Sequence, residues 1–136
     1  CEGVVKQTIT GANAHADVMT IAGVTVGRRR VGYSSQGPGI KGMAHAKPDM
    51  AAYTHFLGSE AFGAGDEDGG TSAACPVAAG AIAALRTKLP QAKLAPRDLA
   101  RELRADAHKS GAGGWNRNTG YGIIHPLATA RRLGLV

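Results

Sequence analysis

Short apolar runs separated by longer polar or glycine-rich stretches set the pattern of this chain. Residues 18–26 are apolar and rich in branched side chains, which predicts a short strand buried on both faces, as in a parallel sheet. Residues 31–35 and 48–53 predict two more short strands, and residues 121–124 predict a short extended segment. Glycine and proline at the ends of these runs indicate turns and loops between them.

Three further segments have the pattern of helices. Residues 73–89 are almost continuously small and apolar, which predicts a helix buried on all sides and stopped by Pro90. A second helix is predicted to start at Pro96 and to end before Gly111, because proline suits the first turn and glycine the residue beyond the last. Residues 126–133 predict the last helix.

Length and composition exclude several classes of protein. The chain has 136 residues, which is enough for one domain, and 43% hydrophobic against 19% charged residues is not the composition of a disordered tail. The apolar runs are shorter than the roughly 20 residues of a spanning helix. The 20 glycines show no three-residue period, so a collagen helix is excluded as well.

The net charge of +6 raises the question of an anionic partner. Aromatic residues for base stacking make up only 4% of the chain, and no nucleic-acid motif is present. We therefore expect a solvated basic surface, with neither a nucleic acid nor a membrane as partner. Eight arginines could have formed a phosphate-binding face: Arg28, Arg29, Arg30, Arg97, Arg101, Arg104, Arg131 and Arg132.

Cysteine usage leaves the redox compartment open. Cys1 and Cys75 are too few for a disulfide scaffold and lack the spacing of a zinc site. They could pair with each other, pair with another chain or remain free. Cys75 is expected to be a small buried residue of the helix.

One segment carries candidate chemistry, from Gly70 to Gly80, with the sequence Gly-Thr-Ser-Ala-Ala-Cys-Pro-Val-Ala-Ala-Gly. Ser72 lies where a glycine-rich loop becomes a helix, close to free backbone N–H groups and to the positive end of the helix dipole. That position suits a nucleophile whose reaction builds an oxyanion. The structural alternative is a helix N-cap, for which serine is a preferred residue.

The same segment resembles the serine motif of the subtilisin-like serine proteases, G-T-S-x-A-x-P followed by V-A-G. Three more motifs of that family have counterparts in the same order. Residues 33–38 resemble F-S-S-x-G-P, residues 47–52 resemble K-P-D-I-x-A-P, and residues 120–124 resemble G-x-G-x-x-N. Four motifs in order, between about Asp17 and Ala130, make the resemblance specific.

The resemblance implies an α/β fold with a three-layer, parallel-sheet subtilisin-like architecture. It also implies a serine endopeptidase that cleaves polypeptide substrates through an acyl-enzyme on Ser72, with the N–H of Ser72 as one oxyanion donor. Thr10 and Gly11, in the stretch of residues 10–13, would help to line the primary specificity pocket, and the alternative for this stretch is an ordinary turn. Gly70 and Thr71 would also contact substrate. No cofactor is required for this chemistry, and an extracellular or periplasmic location is implied.

Calcium is a possible structural ion, because residues 66–68 are Asp-Glu-Asp and hard cations prefer carboxylate oxygens. The alternative for these residues is a solvated acidic loop beside the active site.

Departures from the family pattern concern both the local sequence and the catalytic set. Tyr53-Thr54 stands where the family usually has Pro-Gly, and Val77 stands where many members have His. The family's catalytic Asp, His and oxyanion Asn precede its Ser in the chain. None of their motifs is present, and the five histidines, His15, His45, His55, His108 and His125, lie in none of the catalytic contexts.

Residues 1–136 are therefore expected to be the C-terminal part of a subtilase catalytic domain. Alone, this part should be inactive, because nucleophile and base act as a unit. Its expected partner is the N-terminal half of the same domain. The alternative is a non-catalytic subtilase-like interaction module or a basic binding domain.

Overall fold

Two parallel strands and three α-helices form the frame of the chain, in a computed structural model that describes residues 6–61, 63–109 and 113–136. A 3-10 turn, Gly11–Ala14, precedes the first strand. The strands are β1 (Ile21–Val24) and β2 (Met50–Tyr53). The helices are α1 (Thr71–Arg86), α2 (Pro96–Asp106) and α3 (Pro126–Arg132).

The sheet is parallel, as the apolar pattern of residues 18–26 predicts. Ile21 lies opposite Met50 and Val24 opposite Tyr53. On the far side of β2, Ile123 forms a parallel bridge with Ala51. The predicted extended segment 121–124 therefore contributes a bridge to this sheet. The mixed α/β class with parallel strands is confirmed.

The strand predicted at residues 31–35 is wrong, because the chain turns there. The guanidinium of Arg30 folds back over the segment and donates from Nη1 to the carbonyls of Val31 at 2.9 Å and Gly32 at 3.0 Å. The turn then forms hydrogen bonds with the edge of β1 that does not pair with β2. Gly23 donates its N–H to Ser34 Oγ at 3.1 Å and accepts from the Val31 N–H at 3.2 Å.

Helix α1 packs only one face against the sheet. Ala74, Ala78 and Leu85 are buried, in one core cluster with Met50 and Ala52. The opposite face is exposed and carries only uncharged residues between Ser72 and Ala84: Cys75, Pro76, Val77, Ala79, Gly80 and Ala83. The expectations of a helix buried on all sides and of a buried Cys75 are thus wrong for the described chain, because nothing in it covers this face.

Helices α2 and α3 complete the same core. Leu99 and Leu103 of α2 and Ala130 of α3 are buried in the cluster that α1 contributes to. Arg132 binds across to α2, with Nη2 2.7 Å from Glu102 Oε2 and 2.8 Å from Asp106 Oδ2. Every helix of the frame therefore shares one core with the sheet. No helix in the described ranges has the length and apolar content needed to cross a membrane.

Two glycines of the segment 120–124 allow the backbone to pass close to the rest of the fold. Gly120 has φ +62°, and a Cβ there would lie 2.3 Å from the carbonyl oxygen of Asp49. Gly122 has φ +128°, and a Cβ would lie 2.4 Å from the carbonyl oxygen of His108. Both positions need glycine for its conformation and for its lack of a side chain.

Candidate functional site

The candidate nucleophile lies at the start of α1. Gly70 is the N-cap, and the cap lacks a side-chain hydrogen bond. Ser72 is the second residue of the 16-residue helix and is exposed to solvent. The capping interpretation of Ser72 therefore does not hold, because the cap is two residues earlier and is a glycine.

Gly70 has an unusual backbone conformation, with φ 81° and ψ 167°. Essentially only glycine occupies this region of conformational space. Both of its backbone polar groups are bound by side chains. The N–H donates to Tyr33 Oη at 2.9 Å, and the carbonyl accepts from Thr54 Oγ1 at 2.8 Å. The same carbonyl accepts the first helical bond, from the N–H of Ala73 at 3.1 Å.

The ends of the two strands hold this helix start in place. Thr54 directly follows β2, is fully buried and donates its N–H to the carbonyl of Val24 at 2.9 Å. At Gly23, a Cβ would lie 3.4 Å from Thr54 Cγ2 and 3.5 Å from Thr71 Cγ2, so the start of α1 packs directly over β1. Ser72 thus lies near the carboxyl ends of parallel strands, where open α/β sheets bind ligands.

A histidine contacts the tyrosine that binds Gly70. His55 Nε2 lies 3.3 Å from Tyr33 Oη, and the two rings meet edge to face with centroids 5.9 Å apart. The His55 N–H donates to the carbonyl of Asp68 at 2.9 Å. The Asp68 carboxylate accepts from the N–H and the Oγ of Ser59, each at 2.7 Å. These bonds close the loop that leads from β2 to α1.

A small polar pocket of about 160 Å³ opens beside the helix start. Thr10, from the segment before β1, and Thr71, the first residue of α1, both line it. Gly11 begins the 3-10 turn next to Thr10 and has φ +58°. The structure therefore brings Thr10 and Thr71 to one cavity, with Gly11 and Gly70 as their chain neighbours.

Tyr33, Thr54 and His55 were missed by the sequence analysis as residues of the site. Two of them coincide with departures from the family motifs. Tyr33 takes the place of Phe in F-S-S-x-G-P, and Thr54 takes the place of Gly after the third motif. A polar residue in place of an apolar or glycine residue was the available signal.

The geometry supports neither a calcium site at residues 66–68 nor a phosphate-binding face made of arginines. The carboxylate of Asp68 is already bound by Ser59, and among the described residues no three His, Cys, Asp or Glu side chains are grouped to hold a metal ion. The calcium prediction thus gains no support from the geometry. Four arginines pair with carboxylates, which weakens the case for a phosphate-binding face: Arg97, Arg101, Arg104 and Arg132.

The fold and the site together define an α/β protein with an exposed serine at a helix N-terminus. Residues 4–122 match the model of the subtilase family, peptidase S8. This match covers most of the chain, so the chain belongs to the subtilase family. Among curated proteins, none matches the sequence.

Solved structures of proteases share this fold. The CspB protease of Clostridium perfringens matches 94% of the chain with a TM-score of 0.79 and 20% identity. Fervidolysin from Fervidobacterium pennivorans, a keratinolytic enzyme related to subtilisin, matches 88% with a TM-score of 0.66 and 25% identity. A lanthipeptide protease matches 90% with a TM-score of 0.66 and 19% identity. The chain spans 29%, 20% and 43% of those three structures, respectively.

Proposed function

We propose that this chain is the serine-bearing part of a subtilisin-like serine endopeptidase in which Ser72 is the nucleophile. One observation carries the proposal. Ser72 is exposed at the second position of α1, within the segment that matches the family, and it is not used as a helix cap. A serine that served only to cap the helix would bind the backbone N–H groups of the first turn.

The reaction follows from this position. Ser72 Oγ attacks the carbonyl carbon of a peptide bond, its proton passes to a histidine base, and the base then protonates the leaving amine. The resulting ester on Ser72 is hydrolysed by water. The first N–H groups of a helix lack intrahelical acceptors, so the Ser72 N–H is available to stabilise the oxyanion. The positive end of the α1 dipole favours the same charge.

The base and its aspartate come from outside this chain in our proposal. His55 is the histidine nearest to the helix start along the hydrogen-bond network, and its Nε2 is directed to Tyr33 Oη. The matched structures are about two to four times as long as this chain, which leaves room for the remaining catalytic residues. The proposed partner is the N-terminal half of the same catalytic domain.

The exposed face of α1 supports this partner. A helix face that meets water in the complete protein is normally polar or charged. The exposed residues of α1 from Cys75 to Ala84 carry no charge, and all of them except Val77 are small enough to permit close approach of another backbone. We propose that the N-terminal half packs against this face and so brings its histidine to Ser72.

Substrate contacts are proposed for Thr10, Gly11, Gly70 and Thr71. The pocket that Thr10 and Thr71 share lies beside the helix start, which supports its use for a substrate side chain. The chemistry needs no metal, since a serine, a histidine and an aspartate suffice. The resemblance to exported proteases supports an extracellular or periplasmic location.

The test is covalent labelling of the full-length protein with a fluorophosphonate, followed by mass mapping of the adduct. We expect one adduct, on Ser72, and loss of both the adduct and peptidase activity in Ser72→Ala. Thr87→Ala removes an exposed hydroxyl just beyond the other end of α1 and serves as the matched control. A full-length protein that takes no label at Ser72 would instead support the non-catalytic interaction module.

A further inference from the structure

We propose that Tyr33 and Thr54 are positioning residues that set the reactivity of Ser72 by clamping Gly70 from both sides. The inference rests on the proposed function, since it concerns the nucleophile of that reaction. Tyr33 binds the N–H of Gly70, and Thr54 binds its carbonyl. Tyr33 also lines the pocket proposed for a substrate side chain, whereas Thr54 is fully buried, and neither side chain is assigned to contact the reacting atoms.

The clamp acts on the residue that determines where α1 begins. Gly70 holds a conformation that is open essentially to glycine alone, with φ 81° and ψ 167°. A glycine is also the residue with the most freedom to leave such a conformation. Rotation about its backbone bonds would move the first turn of α1, and with it the N–H and the Oγ of Ser72. Two side-chain hydrogen bonds oppose that rotation.

The two bonds come from segments that are attached to different strands. Thr54 directly follows β2, is fully buried and is bound to Val24 at the end of β1. Tyr33 belongs to the turn that forms hydrogen bonds with the edge of β1 at Gly23. Both hydrogen bonds therefore fix the position of Gly70 relative to the sheet.

His55 orients the hydroxyl of Tyr33. The tyrosine oxygen accepts the Gly70 N–H, and its own proton is then free to be donated to His55 Nε2 at 3.3 Å. The edge-to-face contact of the two rings limits rotation of the tyrosine ring. The left-handed backbone of His55, with φ 59°, and its N–H bond to Asp68 place the imidazole there.

Two departures from the family pattern converge on one residue. With Phe at position 33 the Gly70 N–H would have no acceptor on that side chain, and with Gly at position 54 its carbonyl would have no hydroxyl donor. This chain has an added hydroxyl at each position, and the two hydroxyls bind the two polar groups of the same residue. Both departures are therefore explained by hydrogen bonds to the same residue, Gly70.

The test compares Tyr33→Phe, Thr54→Val and the double variant in the full-length protein. We measure the second-order rate of fluorophosphonate labelling per active site, kcat and KM for a peptide substrate, and the thermal midpoint. Tyr53→Phe is the matched aromatic control, and Thr54→Ser is the variant that should restore the rate because it keeps the hydroxyl. The loss of one hydrogen bond of ordinary strength predicts a fall of about three- to tenfold in labelling rate and kcat.

The outcomes separate this inference from the proposed function. A wild-type protein that labels at Ser72, with slower labelling in Tyr33→Phe and Thr54→Val, an unchanged KM in Thr54→Val and both variants still folded at the assay temperature, supports the clamp. Non-additive effects in the double variant would also support it, because both bonds act on one residue. Wild-type rates in both single variants overturn the clamp alone. A wild-type protein that does not label overturns the proposed function and the clamp with it.

Discussion

The ammonium nitrogen of Lys47 lies 2.6 Å from Asp49 Oδ2, and both side chains are buried. Asp49 Oδ2 also accepts the N–H of Thr20 at 2.8 Å, and Oδ1 accepts from Arg104 Nη2 at 2.5 Å. One carboxylate therefore joins the residue before β1, the residue before β2 and helix α2. The lysine and the aspartate of the motif K-P-D therefore form a buried junction between these three segments.

Removal of the Asp49 carboxylate should destabilise the protein strongly. In Asp49→Ala the buried ammonium of Lys47 loses its counter-ion, and breaking a buried pair costs about 3–5 kcal/mol. Asp98→Ala is the matched control, because Asp98 pairs with Arg101 on the surface and exposed pairs contribute about 0–1 kcal/mol. Denaturant unfolding measures both changes. Equal effects of the two substitutions would show that the Asp49 junction is not formed.

Gly120 should tolerate alanine less well than Gly134. Both have positive φ, +62° and +68°, so the conformational penalty is similar. A Cβ at Gly120 would lie 2.3 Å from the carbonyl oxygen of Asp49, whereas a Cβ at Gly134 would have no atom within 4 Å. Gly134→Ala should therefore cost about 1–2 kcal/mol, and Gly120→Ala clearly more. Thermal unfolding of the two variants tests the difference, and equal midpoints would contradict it.

The stability of the fold should decrease as the pH falls below about 6.5. Burial, then the charge of His125 and that of Arg28, hold the pKa of His108 below its ordinary value of 6.5. The rings of His108 and His125 lie 4.4 Å apart between centroids. The unfolded chain thus binds a proton more readily than the folded one. The contribution of neutral His108 to the free energy of unfolding is fully present above pH 6.5. It is lost as the pH falls from there towards the folded pKa of His108.

His108→Gln tests this pH dependence. The variant removes the titrating group, so the free energy of unfolding should fall less between pH 7 and pH 5 than it does in the wild type. The measurement is denaturant unfolding of both proteins across that range. The same slope in the two proteins would assign the acid sensitivity to other groups.

A charge on the exposed face of α1 should block assembly of the active protein. Ala79 is exposed in this chain, but it would be buried against the N-terminal half that we propose. Ala79→Glu would then place an unpaired charge in an interface, which costs several kcal/mol, and activity of the full-length protein should fall tenfold or more. Ala105→Glu, on the exposed side of α2, is the matched control. Full activity of Ala79→Glu would argue that this face remains open to water.

Much of the secondary structure could be predicted from local signals. The run at residues 18–26 contains β1, the run at residues 48–53 contains β2, and Pro96 and Pro126 begin the second and third helices as their position predicts. The segment 31–35 was predicted wrongly because its apolar and β-branched residues indicate a strand. The side chain of Arg30 instead binds successive carbonyls there, and that contact has no local signature.

The sequence by itself determined the family, the parallel character of the strands and the position of Ser72 at a helix start, because these depend on neighbouring residues and on short motifs. The tertiary structure alone decided that Tyr33 and Thr54 meet at Gly70, which lies 37 residues after the first and 16 after the second. It also decided which face of α1 is buried, because a helix that is apolar on all sides has no polar stripe to orient it. Contacts of this kind depend on how distant segments pack.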